Sequence, residues 1–160
     1  MKTSILVSAL FAIVFGMAGC IKDVNNGGCT DKLVTSEAAA MQTYANANGI
    51  TATAHPNGML FQVMDPGAGP IPLPTSRVFV KYTGKLVSSN AVFDAQTDPS
   101  KTGWVLQTLI PGWQEGLVNI KKGGRIKLIV PSSLAYGCRG YASIPGDAVL
   151  FFDIELVDVQ

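Results

Sequence analysis

The chain has 160 residues, and its 12 basic and 11 acidic side chains leave a formal net charge of +1. This length suits one domain of ordinary size with an export signal and some flanking chain, but not two independent domains. Because the charges nearly balance and no basic run occurs, the composition argues against a nucleic-acid partner, whose binding depends on neutralising phosphates.

Residues 1–19 have the pattern of an export signal. Lys2 supplies a positive charge, and the apolar run over 5–15 is too short for a transmembrane helix of about 20 residues. Small residues directly precede Cys20, an arrangement that resembles a bacterial lipobox. This resemblance implies cleavage before Cys20 and acylation of its thiol, which would anchor the chain to a membrane. The alternative is an ordinary cleaved signal with a chance cysteine.

The other two cysteines, Cys29 and Cys138, leave two states open. Cys29 falls in residues 20–35, whose Asn- and Gly-rich composition predicts a flexible tether. In the compartment reached by export a disulfide between them would persist, but two free thiols fit the sequence as well. There is no Cys-x-x-Cys motif and His55 is the single histidine, so we expect no metal site.

Residues 36–64 are predicted to form a helix and a hairpin. Ser36 is a suitable N-cap, and helix formers continue to Gly49, so we expect a helix over 36–48 that begins with Glu37 in its first turn. A narrow apolar stripe predicts that this helix packs on the flank of the domain, with a dimerisation helix as the alternative. The stripe consists of Ala40, Met41 and Tyr44.

Two short β-type runs follow, over 50–54 and 59–64, and an Asn57-Gly58 pair lies between them. Asn-Gly supplies the positive φ angles of tight turns, so we expect a hairpin. Residues 65–76 hold four prolines and two glycines, which indicates an irregular crossing segment rather than a central strand.

The remaining chain alternates between strand and helix patterns. Residues 77–87, 125–130 and 150–156 alternate apolar and outward-facing positions, as strands do, and 111–120 has one apolar side at helical spacing. That side consists of Trp113, Leu117 and Ile120. The pattern predicts an α+β fold, in which a curled antiparallel sheet wraps around one short α-helix, with an extra N-terminal helix.

Five sequence blocks stand in one order between residues 77 and 158. They are VFVKYTG (78–84), VFD (92–94), LIPGWQEGL (109–117), LAYG (134–137) and LFFDIEL (150–156). Each block alone is weak evidence, but together they resemble the FKBP family of peptidyl-prolyl cis/trans isomerases, in its bacterial lipoprotein form. The resemblance implies an isomerase domain over 65–160, and the similarity extends upstream to about residue 36.

The resemblance also implies a hydrophobic pocket between helix and sheet that receives proline. Trp113 would form its floor, and two donors, the Ile110 N–H and the Tyr136 hydroxyl, would hold the carbonyls that flank proline. The implied catalytic residues are Tyr82, Phe93, Asp94, Ile110, Trp113, Tyr136 and Phe152. The residues implied to bind substrate are Trp104, Leu109, Ile144 and Tyr141.

Such a pocket suits a reaction in which no bond is made or broken. Rotation about the peptide bond passes through a twisted amide about 18–20 kcal/mol above the planar forms, and catalysis requires only that the site favours this state. We therefore expect no cofactor. Two departures from the family pattern leave turnover open: Thr102 replaces an aromatic residue, and Pro99 replaces the basic partner of Asp94, although Lys101 lies nearby as a substitute.

Together with the export signal, the family resemblance implies an isomerase that assists the folding of exported proteins. Its partners would be proline-containing polypeptides, a membrane bound through Cys20, and macrolide-type inhibitors. We expect it to face the periplasm, on the outer rather than the inner membrane, or the cell surface. The alternatives are a catalytically weak proline-binding chaperone or binding module, and a lipoprotein with a structural role if the pocket is closed.

Overall fold

The computed structural model describes residues 28–160, which form two α-helices and seven β-strands. The helices are α1 (Val34–Ala47) and α2 (Pro111–Leu117). The strands are β1 (Thr53–Ala54), β2 (Leu60–Asp65), β3 (Arg77–Leu86), β4 (Val92–Gln96), β5 (Trp104–Val105), β6 (Arg125–Val130) and β7 (Leu150–Val159). Within residues 28–160, no helix is both long and apolar enough to cross a membrane.

The strands form one antiparallel sheet in the order β1-β2-β6-β7-β3-β4. On the edge of β3 that faces away from β7, β5 pairs with the start of the strand and β4 with its second half. The two longest strands, β3 and β7, therefore lie side by side in the interior. The predicted fold class, a curled antiparallel sheet around one short helix with an extra N-terminal helix, is confirmed.

The inner face of the sheet packs against α2 and forms the main core. Apolar side chains at alternate positions of β3, β6 and β7 are buried there, as the strand pattern predicted. Two glycines of α2 allow close packing, because a Cβ atom on Gly112 would lie 2.4 Å from Val130 Cγ1 and one on Gly116 would lie 2.6 Å from Leu128 Cδ1. The helix ends at Leu117, earlier than predicted.

This early end of α2 has a local cause. The Asn119 side chain donates hydrogen bonds to the carbonyl oxygens of Glu115 (2.7 Å) and Gly116 (3.0 Å), which satisfies two groups that a further helical turn would otherwise use. Ile120 nevertheless remains buried in the main core, where the helical spacing had placed it.

Helix α1 packs on part of the outer face of the sheet and forms a second core there. Met41, Tyr44 and Ala45 pack there against residues of β2, β6 and β7. The predicted stripe was partly wrong, because Ala40 is exposed and Ala45 is buried. Since this stripe is covered by the sheet of the same chain, it is not available for dimerisation.

The start of α1 also differs from the prediction. The helix begins at Val34, and Ser36 does not act as its N-cap, because its hydroxyl donates to the Leu33 carbonyl oxygen (2.7 Å). Glu37 lies in the first turn, as predicted, and it is buried there. Its buried carboxylate accepts a hydrogen bond from the Ser132 N–H (2.8 Å), a contact that spans 95 positions of the chain and is invisible to local patterns.

The predicted hairpin is present between β1 and β2, but its turn differs from the expected one. The Gly58 N–H donates to the His55 carbonyl oxygen (2.8 Å), and of the Asn57-Gly58 pair only Gly58 has a positive φ angle, 88°. The Asn57 side chain instead accepts from the Met59 N–H (3.1 Å). The proline-rich segment that follows is irregular, as predicted.

Most of the predicted N-terminal features, namely the signal over 1–19, the lipidation site Cys20 and the first part of the tether, lie outside the described residues. The described end of the tether is attached to the domain, because Cys29 forms a disulfide with Cys138. Of the two states that the sequence left open, the structure therefore contains the disulfide. The last two tether positions, 34 and 35, belong to α1.

Candidate active site

An open cavity of about 370 Å³ lies between the start of α2 and the inner face of β3, β4 and β7. Its walls are predominantly aromatic. The lining residues are Tyr82, Phe93, Asp94, Trp104, Thr108, Leu109, Ile110, Trp113, Tyr136 and Phe152.

Trp113 is almost fully buried, with 4% of its surface exposed. Pro111 begins α2, where its fixed φ angle and missing N–H are tolerated, and this places Trp113 in the first turn. Its ring meets Tyr82 at 5.1 Å and Phe152 at 5.3 Å between centroids, both nearly perpendicular. Edge-to-face contacts of this kind stabilise the arrangement of the rings in addition to the burial of their apolar surface.

Gly84 makes room for the aromatic wall on β3 and β4. A Cβ atom there would lie 2.6 Å from Phe93 Cζ and 3.1 Å from Phe152 Cε1. The rings of Phe93 and Phe152 consequently cross the strand at this position, with centroids 5.7 Å apart. The sequence block contained this glycine, but its close approach to both rings could be recognised only in three dimensions.

Asp94 lies at the edge of the cavity, where its carboxylate accepts a hydrogen bond from the Tyr82 hydroxyl (2.5 Å). Burial, this hydrogen bond and the charge of Asp94 together raise the pKa of Tyr82. The suggested substitute partner is wrong: within residues 28–160, Lys101 forms no ion pair with Asp94. The β3–β4 register, which pairs Gly84 with Asp94, brings the tyrosine and the aspartate together instead.

Two donors at the cavity are unoccupied. Neither the Ile110 N–H nor the Tyr136 hydroxyl forms a hydrogen bond within the described part of the chain. The Gln114 side chain donates to the Leu109 carbonyl oxygen (2.6 Å) and so fixes the segment before α2. Burial and the nearby charge of Asp94 raise the pKa of Tyr136, and a tyrosine hydroxyl is a donor at neutral pH even without such a shift.

Nine of the ten lining residues were predicted from the sequence, and the tenth is Thr108. Its hydroxyl donates to the Val105 carbonyl oxygen (2.7 Å) within a tight turn, a position without any periodic signal. Two predicted substrate-binding residues do not line the cavity. Ile144 is buried in the main core, whereas Tyr141 is 65% exposed and stacks on Tyr136 with ring centroids 5.3 Å apart.

Thr102, the predicted departure in the cavity wall, does not line the cavity. Its hydroxyl oxygen accepts a hydrogen bond from the Val80 N–H (2.9 Å), and the hydroxyl donates to the Pro99 carbonyl oxygen (2.7 Å). Thr102 thus ties the loop before β5 to β3. In the described range 28–160, no group of three or more His, Cys, Asp or Glu residues is arranged to hold a metal ion.

Comparison with known proteins agrees with this geometry. A family model described as FKBP-type peptidyl-prolyl cis-trans isomerase matches residues 69–157. FkpA of Escherichia coli, named as an FKBP-type peptidyl-prolyl cis-trans isomerase, is 39% identical over 119 residues, which are 74% of this chain and 43% of that protein. The chain therefore spans less than half the length of this curated relative.

Solved structures are similar as well. The crystal structure of FkpA from Escherichia coli matches with a TM-score of 0.67 and 35% identity, covering 80% of this chain and 61% of that one. That of a peptidyl-prolyl cis-trans isomerase from Pseudomonas syringae matches with a TM-score of 0.66 and 31% identity, covering 82% of this chain and 99% of that one. The family model alone covers more than half of the sequence, and the chain belongs to the FKBP-type peptidyl-prolyl cis-trans isomerase family.

Proposed function

We propose that this chain catalyses the cis/trans isomerisation of Xaa-Pro bonds in exported proteins and thereby assists their folding. The observation that carries the proposal is the open aromatic cavity with two donors, the Ile110 N–H and the Tyr136 hydroxyl, that make no hydrogen bond within residues 28–160. An apolar slot with a small number of polar groups at its edge suits a prolyl ring with peptide carbonyls on both sides.

The physical basis of catalysis is a difference in polarity between the planar and the twisted amide. Twisting removes the amide resonance, so the carbonyl oxygen loses negative charge and the amide becomes less polar. The apolar wall formed by Trp113 and Phe152 therefore disfavours the planar forms more than the twisted one. An acceleration of about ten-thousandfold requires about 5.5 kcal/mol of such preference.

The two donors would supply orientation. If the Ile110 N–H and the Tyr136 hydroxyl hold the carbonyls that flank the proline, one side of the bond is fixed while the ring side turns. Asp94 contributes indirectly, since its carboxylate accepts the hydrogen bond of the Tyr82 hydroxyl and so fixes the Tyr82 ring in the cavity wall. No nucleophile or cofactor takes part in this scheme.

The chain would act outside the cytoplasm, held by acyl chains on Cys20, on the outer rather than the inner membrane and facing the periplasm or the cell surface. The disulfide between Cys29 and Cys138 supports this proposal, because disulfides persist in oxidising compartments. Two or more acyl chains make membrane binding durable. We expect Cys20→Ala to move the chain from the membrane to the soluble fraction, and an unchanged distribution would contradict the lipid anchor.

The activity is tested with proline-containing tetrapeptides and the full-length chain purified in detergent. We expect accelerated relaxation of the cis peptide, and a macrolide-type inhibitor at micromolar concentration should abolish it by occupying the cavity. A Phe152→Ala variant is the matched loss-of-function control. Peptide binding without acceleration would select the weak proline-binding chaperone instead, and absence of both binding and acceleration would refute the proposal.

A further inference from the structure

Residues 29–37, called the arm here, connect the described N-terminus to the site. They precede the segment matched by the family model, which begins at residue 69. The arm contacts the chain between β6 and β7, residues 131–149, called the Tyr136 loop because it carries Tyr136.

Four bonds join the arm to the Tyr136 loop. Near the start of the loop, the buried Ser132 N–H donates a hydrogen bond to the Glu37 carboxylate (2.8 Å). In its middle, Cys29 forms the disulfide with Cys138, and Asp31 Oδ1 accepts from the N–H of the same Cys138 (2.7 Å). The remaining bond is an ion pair near the end of the loop, between Lys32 Nζ and Asp147 Oδ2 (3.7 Å).

The Tyr136 loop has little regular structure of its own. It contains two short 3-10 turns, Ser132–Leu134 and Gly137–Arg139, and Gly137 has a φ angle of 60°. Within residues 28–160, the N–H groups of Tyr136 and Gly137 make no hydrogen bond. The Gly137 carbonyl oxygen accepts from the Asp147 N–H (2.9 Å) within the loop, but the first backbone N–H after Ala135 that finds an acceptor is that of Cys138, and this acceptor belongs to the arm.

Asp31 lies directly against Gly137. A Cβ atom on Gly137 would be 2.4 Å from Asp31 Oδ1, so the carboxylate occupies the space that only a glycine leaves free. Asp31 and the disulfide therefore fix the chain one and two positions after Tyr136. The exposed ring of Tyr141 stacks on the Tyr136 ring.

We propose that the arm is a positioning element of the active site: Asp31 and the Cys29–Cys138 disulfide hold the Tyr136 hydroxyl where it donates to the substrate carbonyl. This inference rests on the proposed isomerase function. Asp31 and Cys29 do not touch the substrate in this scheme, since neither lines the cavity. They act through Tyr136, and their effect should disappear when the hydroxyl is absent.

A double-mutant cycle tests this dependence on the full-length chain. We expect Asp31→Ala to lower kcat/KM for an Xaa-Pro tetrapeptide about fivefold, the factor that corresponds to one lost hydrogen bond. In a Tyr136→Phe background the same substitution should change kcat/KM by less than about twofold. Asp31→Asn should restore part of the activity, because its amide oxygen can accept the Cys138 N–H.

The matched control is Asp65→Ala. Asp65 Oδ1 accepts a backbone N–H, that of Gly67 at 2.8 Å, as Asp31 does, but it lies at the end of β2 away from the cavity. We expect kcat/KM to be unchanged by this variant. Equal losses from Asp31→Ala in both backgrounds, or no loss in either, would overturn the inference. If Asp31→Ala does not fold, Cys29→Ser replaces it in the same cycle.

A second measurement does not depend on activity. The ring signals of ¹³C-labelled Tyr136 report its environment, which includes the stacked Tyr141 ring. We expect these signals to shift in Asp31→Ala and Cys29→Ser but not in Asp65→Ala, and identical signals in all variants would overturn the inference. If the unaltered chain has no isomerase activity, the proposed function fails, while this measurement still decides the role of the arm.

Discussion

Phe151 and Phe152 are neighbours on β7, yet they have different surroundings. Phe152 lies on the inner face, 5.3 Å from Trp113, where it lines the open cavity, whereas Phe151 lies on the outer face, 5.4 Å from Tyr44, beneath α1. Successive side chains of a strand point to opposite faces, so this separation is a property of the strand. What differs is the cover on each side.

The helices that cover the two faces differ in length. The inner helix α2 has 7 residues and the outer helix α1 has 14, which correspond to about 10 Å and 21 Å. The central strands of 10 residues extend about 33 Å, so α2 covers only part of the inner face. The uncovered part is the cavity. The comparison teaches that the short helix leaves the Phe152 side of the strand open to a ligand, whereas the longer helix buries the Phe151 side and leaves only more distant outer-face positions to solvent.

The largest expected effect comes from removing the floor of the cavity. Trp113→Ala should lower the free energy of unfolding by about 3–5 kcal/mol and kcat/KM by about 100-fold, because the ring both fills the core and orients the proline. On the outer face, Met41→Ala should lower the unfolding free energy by about 2–5 kcal/mol and leave kcat/KM of the folded protein unchanged. Urea denaturation and the peptide assay measure both, and an equal loss of activity in Met41→Ala would break the comparison.

A smaller effect is expected where the two faces are joined. Glu37→Ala removes the acceptor of the buried Ser132 N–H and should lower the free energy of unfolding by about 1–3 kcal/mol, the cost of a buried donor without a partner. Glu115→Ala, at an exposed position of α2, should change it by less than about 0.5 kcal/mol. Similar values for both variants would show that the buried bond does not stabilise the fold.

Alkaline pH should destabilise the chain through tyrosines on both faces. Burial raises the pKa of Tyr82 and Tyr136 on the inner face and of Tyr44 on the outer face. The folded state therefore holds these protons more tightly than the unfolded state, and their stabilising contribution is complete below about pH 10 and is lost as pH rises through the folded pKa values. Denaturation between pH 8 and 11 measures how steeply the free energy of unfolding falls with pH. This fall should become shallower in Tyr82→Phe than in Tyr141→Phe, because Tyr141 is largely exposed.

The smallest effect is expected for an exposed ion pair on the outer face. Arg125 donates two hydrogen bonds to Asp153, at 2.8 and 2.9 Å, but exposed pairs contribute little. Arg125→Gln should lower the free energy of unfolding by about 0.5 kcal/mol, and about 1 M NaCl should reduce this difference. Lys127→Gln is the control, because Lys127 forms no ion pair within residues 28–160 and should show no salt-dependent change. An effect of Arg125→Gln that survives high salt would indicate a contribution other than charge.

The elements that could be predicted are those with a local cause. Alternation along β3, β6 and β7 follows from the two-residue period of strands, and it identified their inner-face positions but not Ile129 and Phe151, which α1 buries on the outer face. The order of the five sequence blocks carried the family resemblance, and nine of the site residues that this resemblance implied line one cavity. Local detail at the ends of elements was predicted less well. Ser36 has the residue type of a helix cap and Asn57 that of a tight turn, but Ser36 donates to the Leu33 carbonyl oxygen and Asn57 accepts from the Met59 N–H.

The parts that could not be predicted depend on long-range contacts. The Cys29–Cys138 disulfide joins positions 109 residues apart, and composition alone assigned Cys29 to a flexible tether. Asp94 meets Tyr82 rather than Lys101 because of the pairing of β3 with β4. Tyr141 lies outside the cavity because the loop that carries it turns its ring onto Tyr136.

By itself, then, the amino-acid sequence determined five of the seven strands, the short inner helix and the aromatic residues of the cavity, because periodicity and motif order are properties of the chain itself. Only the tertiary structure decided that α1 packs on the outer face, that Asp94 accepts from Tyr82, and that the arm is bonded to the Tyr136 loop. Each of these depends on residues brought together by the fold from distant positions, and no local pattern of side chains encodes which distant group a carboxylate or a thiol will meet.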